Sequence, residues 1–313
     1  MSTRTERLEQ LLAPALSHQA LPAAVVHPCD EASLHGALLA RERGLITPIL
    51  VGPEAKMRAV AERHGLDLRG LEIIDVPHSH AAADRAVALA REGRVELLMK
   101  GSLHTDELMG AVLASATGLR TDHHVSHVFY MDVPLYPKPL ILTDAAINIE
   151  PSLEEKVHIL QNAIDFAIAL GITTPQVAIL AAVETVNPRM RATLDAAVLC
   201  KMADRGQIRG GIVDGPLAFD NAISVEAAER KGICSAVAGH ADILLAPDIE
   251  SANMLAKQLE YLADAITAGV VVGARVPIIL TSRADSAETR LASAAIAVRY
   301  AQHRSRAKST LHS

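Results

Sequence analysis

Three observations predict an α/β fold with helices packed on a mostly parallel sheet. Strand-like and helix-like patterns alternate along the chain, short loops join them, and the apolar residues are almost all aliphatic. Of the 313 residues half are hydrophobic, yet aromatics make up 2% and tryptophan is absent. Ala, Leu, Val and Ile must therefore fill the core, which suits a buried parallel sheet covered by helices. The length exceeds what one core usually supports, so two domains are expected.

Residues 4–18 read as an amphipathic opening helix. Ala23–Val26 reads as a strand, and Glu31–Arg43 as a helix stopped by Gly44. Thr47–Val51 and Pro53–His64 repeat that pair, with Gly65 as the stop. Glu72–Val76 and Ser79–Glu92 form the next pair, then Glu96–Met99 and Thr105–Ala116. Val125–Val133 and Leu140–Thr143 are two further strands, separated by a segment with prolines at 134, 137 and 139 that implies a bend or an edge. Ser152 and Glu155 form a capping box for a helix to Leu170. A strand over Val177–Ala181 follows, then a helix starting at Asn187-Pro188 and running to about Arg205. Gly211–Val213, Ala241–Ala246 and Pro277–Leu280 are the remaining strands. Helices are expected over Ser224–Lys231, from Ser251 to about Ala265, and from Ser286 onward. The domain boundaries are placed at 145/146 and 280/281: residues 1–145 plus 281–313 make the first α/β domain, and 146–280 the second.

Net charge is −6, which argues against a general nucleic-acid binder. A phosphorylated ligand needs only a local basic pocket. Cys29, Cys200 and Cys234 are far apart and form no CxxC pair, as expected of reduced thiols in the cytoplasm. The N-terminal residues lack the pattern of a secretory signal, and no apolar run approaches about 18 residues, so no membrane association is expected.

The glycine fingerprints of dinucleotide sites and P-loops are absent, as is Gly-x-Ser-x-Gly. His123, His124 and His127 invite a metal reading. The segment reads as strand rather than helix, however, and on a strand residues four apart lie about 13 Å from each other, so no metal site is assigned. Five strand exits carry polar residues: Lys100-Gly101-Ser102, Thr143-Asp144, Asp214-Gly215-Pro216, Pro247-Asp248 and Thr281-Ser282-Arg283. In open α/β sheets ligands bind beyond such ends, although every α/β loop is polar to some degree. The stretch from Pro277 to Ala301 is the main candidate. A strand there enters a helix through Thr281, Ser282, Arg283 and Asp285, with Asp285 and Glu288 spaced as a capping box. Free N–H groups and an arginine fork make an anion site, and an ordinary capped helix with a solvated arginine is the alternative.

TSRADSAETR (281–290) resembles the Ser-Arg loop of the phosphate acetyl- and butyryltransferases. GPLAFDNAIS (215–224) and AGHADILLAPDIESAN (238–253) are similar to two further segments of that family. MKGSLHTDELMGAVL (99–113), TDAAINIEPSLEEK (143–156) and VNPRMRATLDAA (186–197) look closest to its butyryltransferase branch. The resemblance implies reversible acyl transfer between acyl-CoA and inorganic phosphate, giving acyl phosphate and free CoA. It further implies two α/β domains of the isocitrate/isopropylmalate dehydrogenase type with a cleft between them, the C-terminal helix returning to the first, and a homodimer or higher homo-oligomer. No metal or nicotinamide cofactor is implied; CoA and phosphate are substrates. Ser282 and Arg283 take the catalytic positions. Lys100, Arg120, Asp220, Pro247 and Asp248 are the substrate-contact candidates.

One position departs from the pattern. The acetyltransferase branch carries an Asp, with a role as base, seven residues after the loop serine, and here Thr289 occupies that place. Glu288 and Asp285 are the nearby acid/base candidates. Two rival readings remain: a non-catalytic CoA or acyl-phosphate binding protein, and a metal-dependent dehydrogenase of the same fold.

Overall fold

The computed structural model describes residues 3–17, 19–282 and 285–310. The chain forms two compact units, one of residues up to 123 together with 268 onward, the other of His124–Thr267. The first unit begins with α1 (Arg4–Leu16), where Thr3 and Glu6 make a reciprocal capping box. β1 (Leu21–Val26), α2 (Glu31–Glu42), β2 (Ile46–Gly52), α3 (Glu54–His64), β3 (Glu72–Asp75), α4 (Ser79–Arg91), β4 (Leu97–Lys100) and α5 (Thr105–Leu113) follow. The second unit holds β5 (Ser126–Asp132), β6 (Leu140–Thr143), α6 (Leu153–Ala169), β7 (Gln176–Leu180) and α7 (Arg191–Asp204). It continues through β8 (Ile212–Leu217), α8 (Phe219–Ile223), α9 (Val225–Arg230), β9 (Ile243–Leu245) and α10 (Ile249–Leu262). β10 (Ile266–Val272) spans the boundary, and β11 (Ile278–Ile279) and α11 (Ala287–Thr310) complete the first unit.

Strands of the first unit are ordered β3-β2-β1-β4-β11-β10. All are parallel except β10, which meets β11 as an antiparallel pair. In the second unit the order is β5-β6-β9-β7-β8, and only β5 and β6 are antiparallel. The α/β class and the mostly parallel sheet are those the sequence predicts.

The two compact units divide at 123/124 and 267/268, and the domain boundaries expected from the sequence stand at 145/146 and 280/281. Several local expectations about single elements are corrected. The proline segment, expected as a bend or an edge, is the loop of the β5–β6 pair, and β6 also pairs with β9, which ties residues 126–143 to the second unit. Gly269–Gly273, assigned no element from the sequence, largely belongs to β10, which is buried along its whole length. Asp214-Gly215-Pro216 is not a strand exit but lies inside β8. Asn187 and Pro188 precede α7 in a turn, and the helix starts at Arg191. The helix expected over Ser224–Lys231 is present as α9, capped by Ser224, and the short α8 before it had no counterpart in the sequence reading.

α11 packs against α1 and α2 as well as the sheet. Its residues Leu291, Ala292, Ala294, Ile296, Val298 and Ala301 are all buried, so it is a central helix rather than one with a single apolar face. Alanines at 292, 294, 295 and 297 supply the small surface that close approach of its neighbours needs.

Candidate active site

In the first unit β1, β4 and β11 lie side by side and parallel, so their C-terminal ends form one edge. The exits there are His27–Cys29, Lys100–Ser102 and Thr281–Ser282. Gly101 makes the edge compact. Its N–H donates to the Val26 carbonyl at 2.9 Å, and a Cβ at this position would lie 2.4 Å from that oxygen. Only glycine permits the approach. The next residue locks the two loops together. The Ser102 amide donates to the His27 carbonyl at 3.0 Å, and its hydroxyl donates to the same oxygen at 2.8 Å. The Ser102 Oγ also accepts from the Cys29 amide at 3.2 Å and stands 3.1 Å from His27 Nδ1.

His27 has a left-handed backbone, φ 54°, at a cost of about 1–2 kcal/mol for a non-glycine residue. Burial, reinforced by Lys56, pushes its imidazole below the usual value, which favours the neutral ring. Burial pushes the Cys29 thiol up to about 11, so it is no thiolate nucleophile at neutral pH. Lys100 is buried on this edge, with Nζ 3.5 Å from the Gly101 carbonyl.

The third exit follows β11. Thr281 is buried and Ser282 exposed. Asp285 Oδ2 accepts from the Ser282 amide at 2.7 Å, and the Asp285 amide donates to the Ser282 carbonyl at 3.2 Å. Arg283, the main catalytic candidate, lies outside the described residues. The cap of α11 is Ser286, whose hydroxyl accepts from the Thr289 amide at 3.1 Å. The Asp285/Glu288 capping box is thereby corrected: Asp285 folds back on Ser282, and Glu288 accepts from Arg4 Nε at 2.9 Å. Thr289 is buried, its Oγ1 3.2 Å from Ser286 Oγ. Arg290 is also buried and donates to Thr281 Oγ1 at 2.9 Å and to the Ser282 carbonyl at 2.8 Å.

Arg120 is exposed and does not join this edge. The neighbouring Leu119 carbonyl accepts from the Arg275 amide at 2.9 Å. Arg275 precedes β11 whereas Ser282 follows it, so Arg120 stands at the opposite end of that strand. A cavity of about 390 Å³ lined by Val95, Arg275, Pro277, Ala301 and Arg304 sits at the same remote end, away from Lys100 and Ser282.

The second unit has its own polar edge, where β6 and β9 run parallel and the Ala246 amide donates to the Thr143 carbonyl at 2.9 Å. Asp144 is buried there. It accepts from the amides of His127, Ala146 and Ile147 and from Asn148 Nδ2, at 2.7–3.0 Å. Burial nonetheless pushes its carboxyl above the usual range. Pro247 and Asp248 leave β9 beside it. Asp248 caps α10, accepting from the Ser251 amide at 2.8 Å; Ser251, expected as the cap, is instead its donor. Asp220 is exposed in the first turn of α8, 3.5 Å from Lys231. His127 is fully buried with its ring edge-on to Phe129, and burial pushes its imidazole down to about 3. No group of three His, Cys, Asp or Glu residues is placed to hold a metal ion among the described residues.

Lys100 and Ser282 are thus brought to one strand edge, while Asp220, Pro247 and Asp248 belong to the second unit. His27 and Arg290 were not among the sequence candidates. The exit of β1 carried the signal for the first, and the mid-helix Gly36 that makes room for Arg290 carried the signal for the second.

A parallel α/β edge with polar strand exits is the place where open α/β proteins bind their ligands. The chain belongs to the family described as phosphate acetyl/butaryl transferase, whose pattern matches residues 80–298. It is 63% identical over 298 residues to a phosphate acetyltransferase of Rhizobium meliloti, covering 95% of this chain and 94% of that one. Identity to a phosphate butyryltransferase of Clostridium acetobutylicum is 44% over 268 residues, 86% of this chain and 89% of that one. The crystal structure of a branched-chain phosphotransacylase from Enterococcus faecalis V583 superposes with a TM-score of 0.79 at 29% identity, over 90% of this chain and 99% of that chain. A putative 4-hydroxythreonine-4-phosphate dehydrogenase from Salmonella typhimurium shares the fold at 14% identity and TM-score 0.59, over 90% of this chain and all of that one.

Proposed function

We propose that this chain transfers a short acyl group reversibly between CoA and inorganic phosphate, and that acetyl-CoA is its preferred thioester. The observation that carries this reading is the 63% identity, across nearly the whole chain, to a protein named phosphate acetyltransferase. The sequence segments that looked closest to the butyryltransferase branch occur in a chain 44% identical to a named butyryltransferase, so butyryl-CoA is the comparison substrate.

Transfer is direct, in a ternary complex. A phosphate oxygen attacks the thioester carbonyl carbon, the C–S bond breaks, and CoA leaves as a thiolate that takes up a proton. Burial holds the Cys29 thiol at about 11 and the Cys200 thiol at about 12, which disfavours a cysteinyl acyl-enzyme. Arg283 neutralises the phosphate or the developing oxyanion, and Ser282 donates to the carbonyl oxygen or the leaving sulfur. Lys100 contacts substrate from the same edge as Ser282. Asp220, Pro247 and Asp248 are further substrate contacts, Arg120 is a contact for a part of CoA remote from the Lys100–Ser282 edge, and Asp285 or Glu288 supplies the base in place of the missing Asp at 289. The working unit is a cytoplasmic homodimer or higher homo-oligomer.

The test is CoA release from acetyl-CoA with and without phosphate, in wild type, Arg283→Ala and Ser282→Ala. Loss of an electrostatic partner of the transition state lowers kcat by about 10²–10³-fold. Arg283→Ala with wild-type kcat and phosphate KM contradicts the assignment.

A further inference from the structure

Arg290 sits on the first turn of α11, 3% exposed, and its guanidinium is aimed back at the loop before the helix. Nη1 donates to Thr281 Oγ1 at 2.9 Å and Nη2 to the Ser282 carbonyl at 2.8 Å. Both backbone groups of Ser282 are therefore held, the carbonyl by Arg290 and the amide by Asp285.

Stability alone does not account for this arginine. Its Nε is buried with no hydrogen-bond partner among the described residues, and burying a charged group with an orphan donor is costly. An apolar side chain of similar length avoids that cost. The fold also makes room for the guanidinium at a helical position. Gly36 in α2 faces it, and a Cβ there would lie 2.8 Å from Arg290 Cδ. Glycine inside a helix is itself unfavourable, so α2 gives up helix propensity where Arg290 needs space.

We propose that Arg290 is a positioning residue, holding the Thr281–Ser282 segment in the geometry for acyl transfer, an inference that rests on the catalytic reading of Ser282 and Arg283. Gly36 is its steric counterpart. Neither residue touches substrate; both act through the loop.

The experiment combines Arg290→Met, Arg290→Lys, Gly36→Ala, Ser282→Ala and the double variant Ser282→Ala/Arg290→Met, with steady-state kinetics and thermal melts. Arg290→Met is expected to lose about 10- to 100-fold in kcat, the scale of a displaced reacting group, with no fall in Tm. Arg290→Lys, a point charge able to reach one partner, recovers part of that loss. Gly36→Ala favours the helix yet lowers kcat. The double variant is no slower than Ser282→Ala alone, within about threefold, because both changes act on one unit. Multiplying losses, or wild-type kcat in Arg290→Met, overturn the inference. If Arg290→Met does not fold, Gly36→Ala with and without Ser282→Ala gives the same comparison, and full activity of Gly36→Ala overturns it. Wild-type activity of Ser282→Ala instead sinks the catalytic reading of the loop, and the positioning role with it.

Discussion

At Gly101 the chain has no room for a side chain, because backbone rather than a movable group stands in the way. Gly101→Ala is expected to cost about 3 kcal/mol, at the upper end for single substitutions, read as a lowered urea midpoint. A midpoint unchanged from wild type contradicts the close approach of the two loops. His127 gives a second residue-scale prediction. Its folded value of about 3 lies below the unfolded value near 6.5, so between those limits the unfolded chain binds the extra proton. Stability therefore falls as pH drops through that window, by roughly 1.4 kcal/mol per pH unit. Asp144 beside it works in the other direction, its raised carboxyl favouring the folded state towards acid. The difference between wild type and His127→Gln isolates the imidazole, and urea unfolding at pH 7, 6 and 5 should show a flatter dependence in the variant. Parallel curves contradict it. Residue roles were the least legible part of the sequence. Asp248 and Glu288 stand in the segments that resemble the family, but the carboxylate of one caps a helix and that of the other pairs with Arg4. A sequence shows that a carboxylate is present, not which donor reaches it first.

Between elements, the pair that joins α6 to α7 is Lys156 and Asp195, 2.7 Å apart with side chains 6% and 11% exposed. Removing one partner of such a pair strands the other in a medium that solvates it poorly. Asp195→Ala is expected to cost about 3 kcal/mol in urea unfolding, and Lys156→Met/Asp195→Leu to recover most of it. Equal losses in the single and double variants contradict that account. Elements with their own local signals were legible. Ser152 and Glu155 do cap α6, and β6 is found where the sequence placed it. Elements defined by distant partners were not. β10 is Gly/Val-rich and was assigned no element from the sequence, yet it is a fully buried strand that pairs with β11. Asp214-Gly215-Pro216 has turn composition and sits inside β8, paired with β7. Cross-strand partners override local propensity, and no window of sequence contains them.

At the scale of the whole molecule, the aliphatic composition and the alternation of elements led to the α/β class before any pairing was known. The division into units has no local signal in the sequence: the proline segment after β5, read as a bend or an edge, is a hairpin loop within one unit. The family was carried by separated segments in a fixed order, a property of the whole chain rather than of any single loop. No described helix is long and apolar enough to cross a membrane. Phosphate-dependent acyl transfer is tested most directly by CoA thiol release by the wild-type protein from acetyl-, propionyl- and butyryl-CoA, with and without phosphate. Release is expected to require phosphate and to be fastest with acetyl-CoA. Absence of phosphate-dependent release from all three, in a preparation that still binds CoA, contradicts it and leaves a CoA-binding protein in its place.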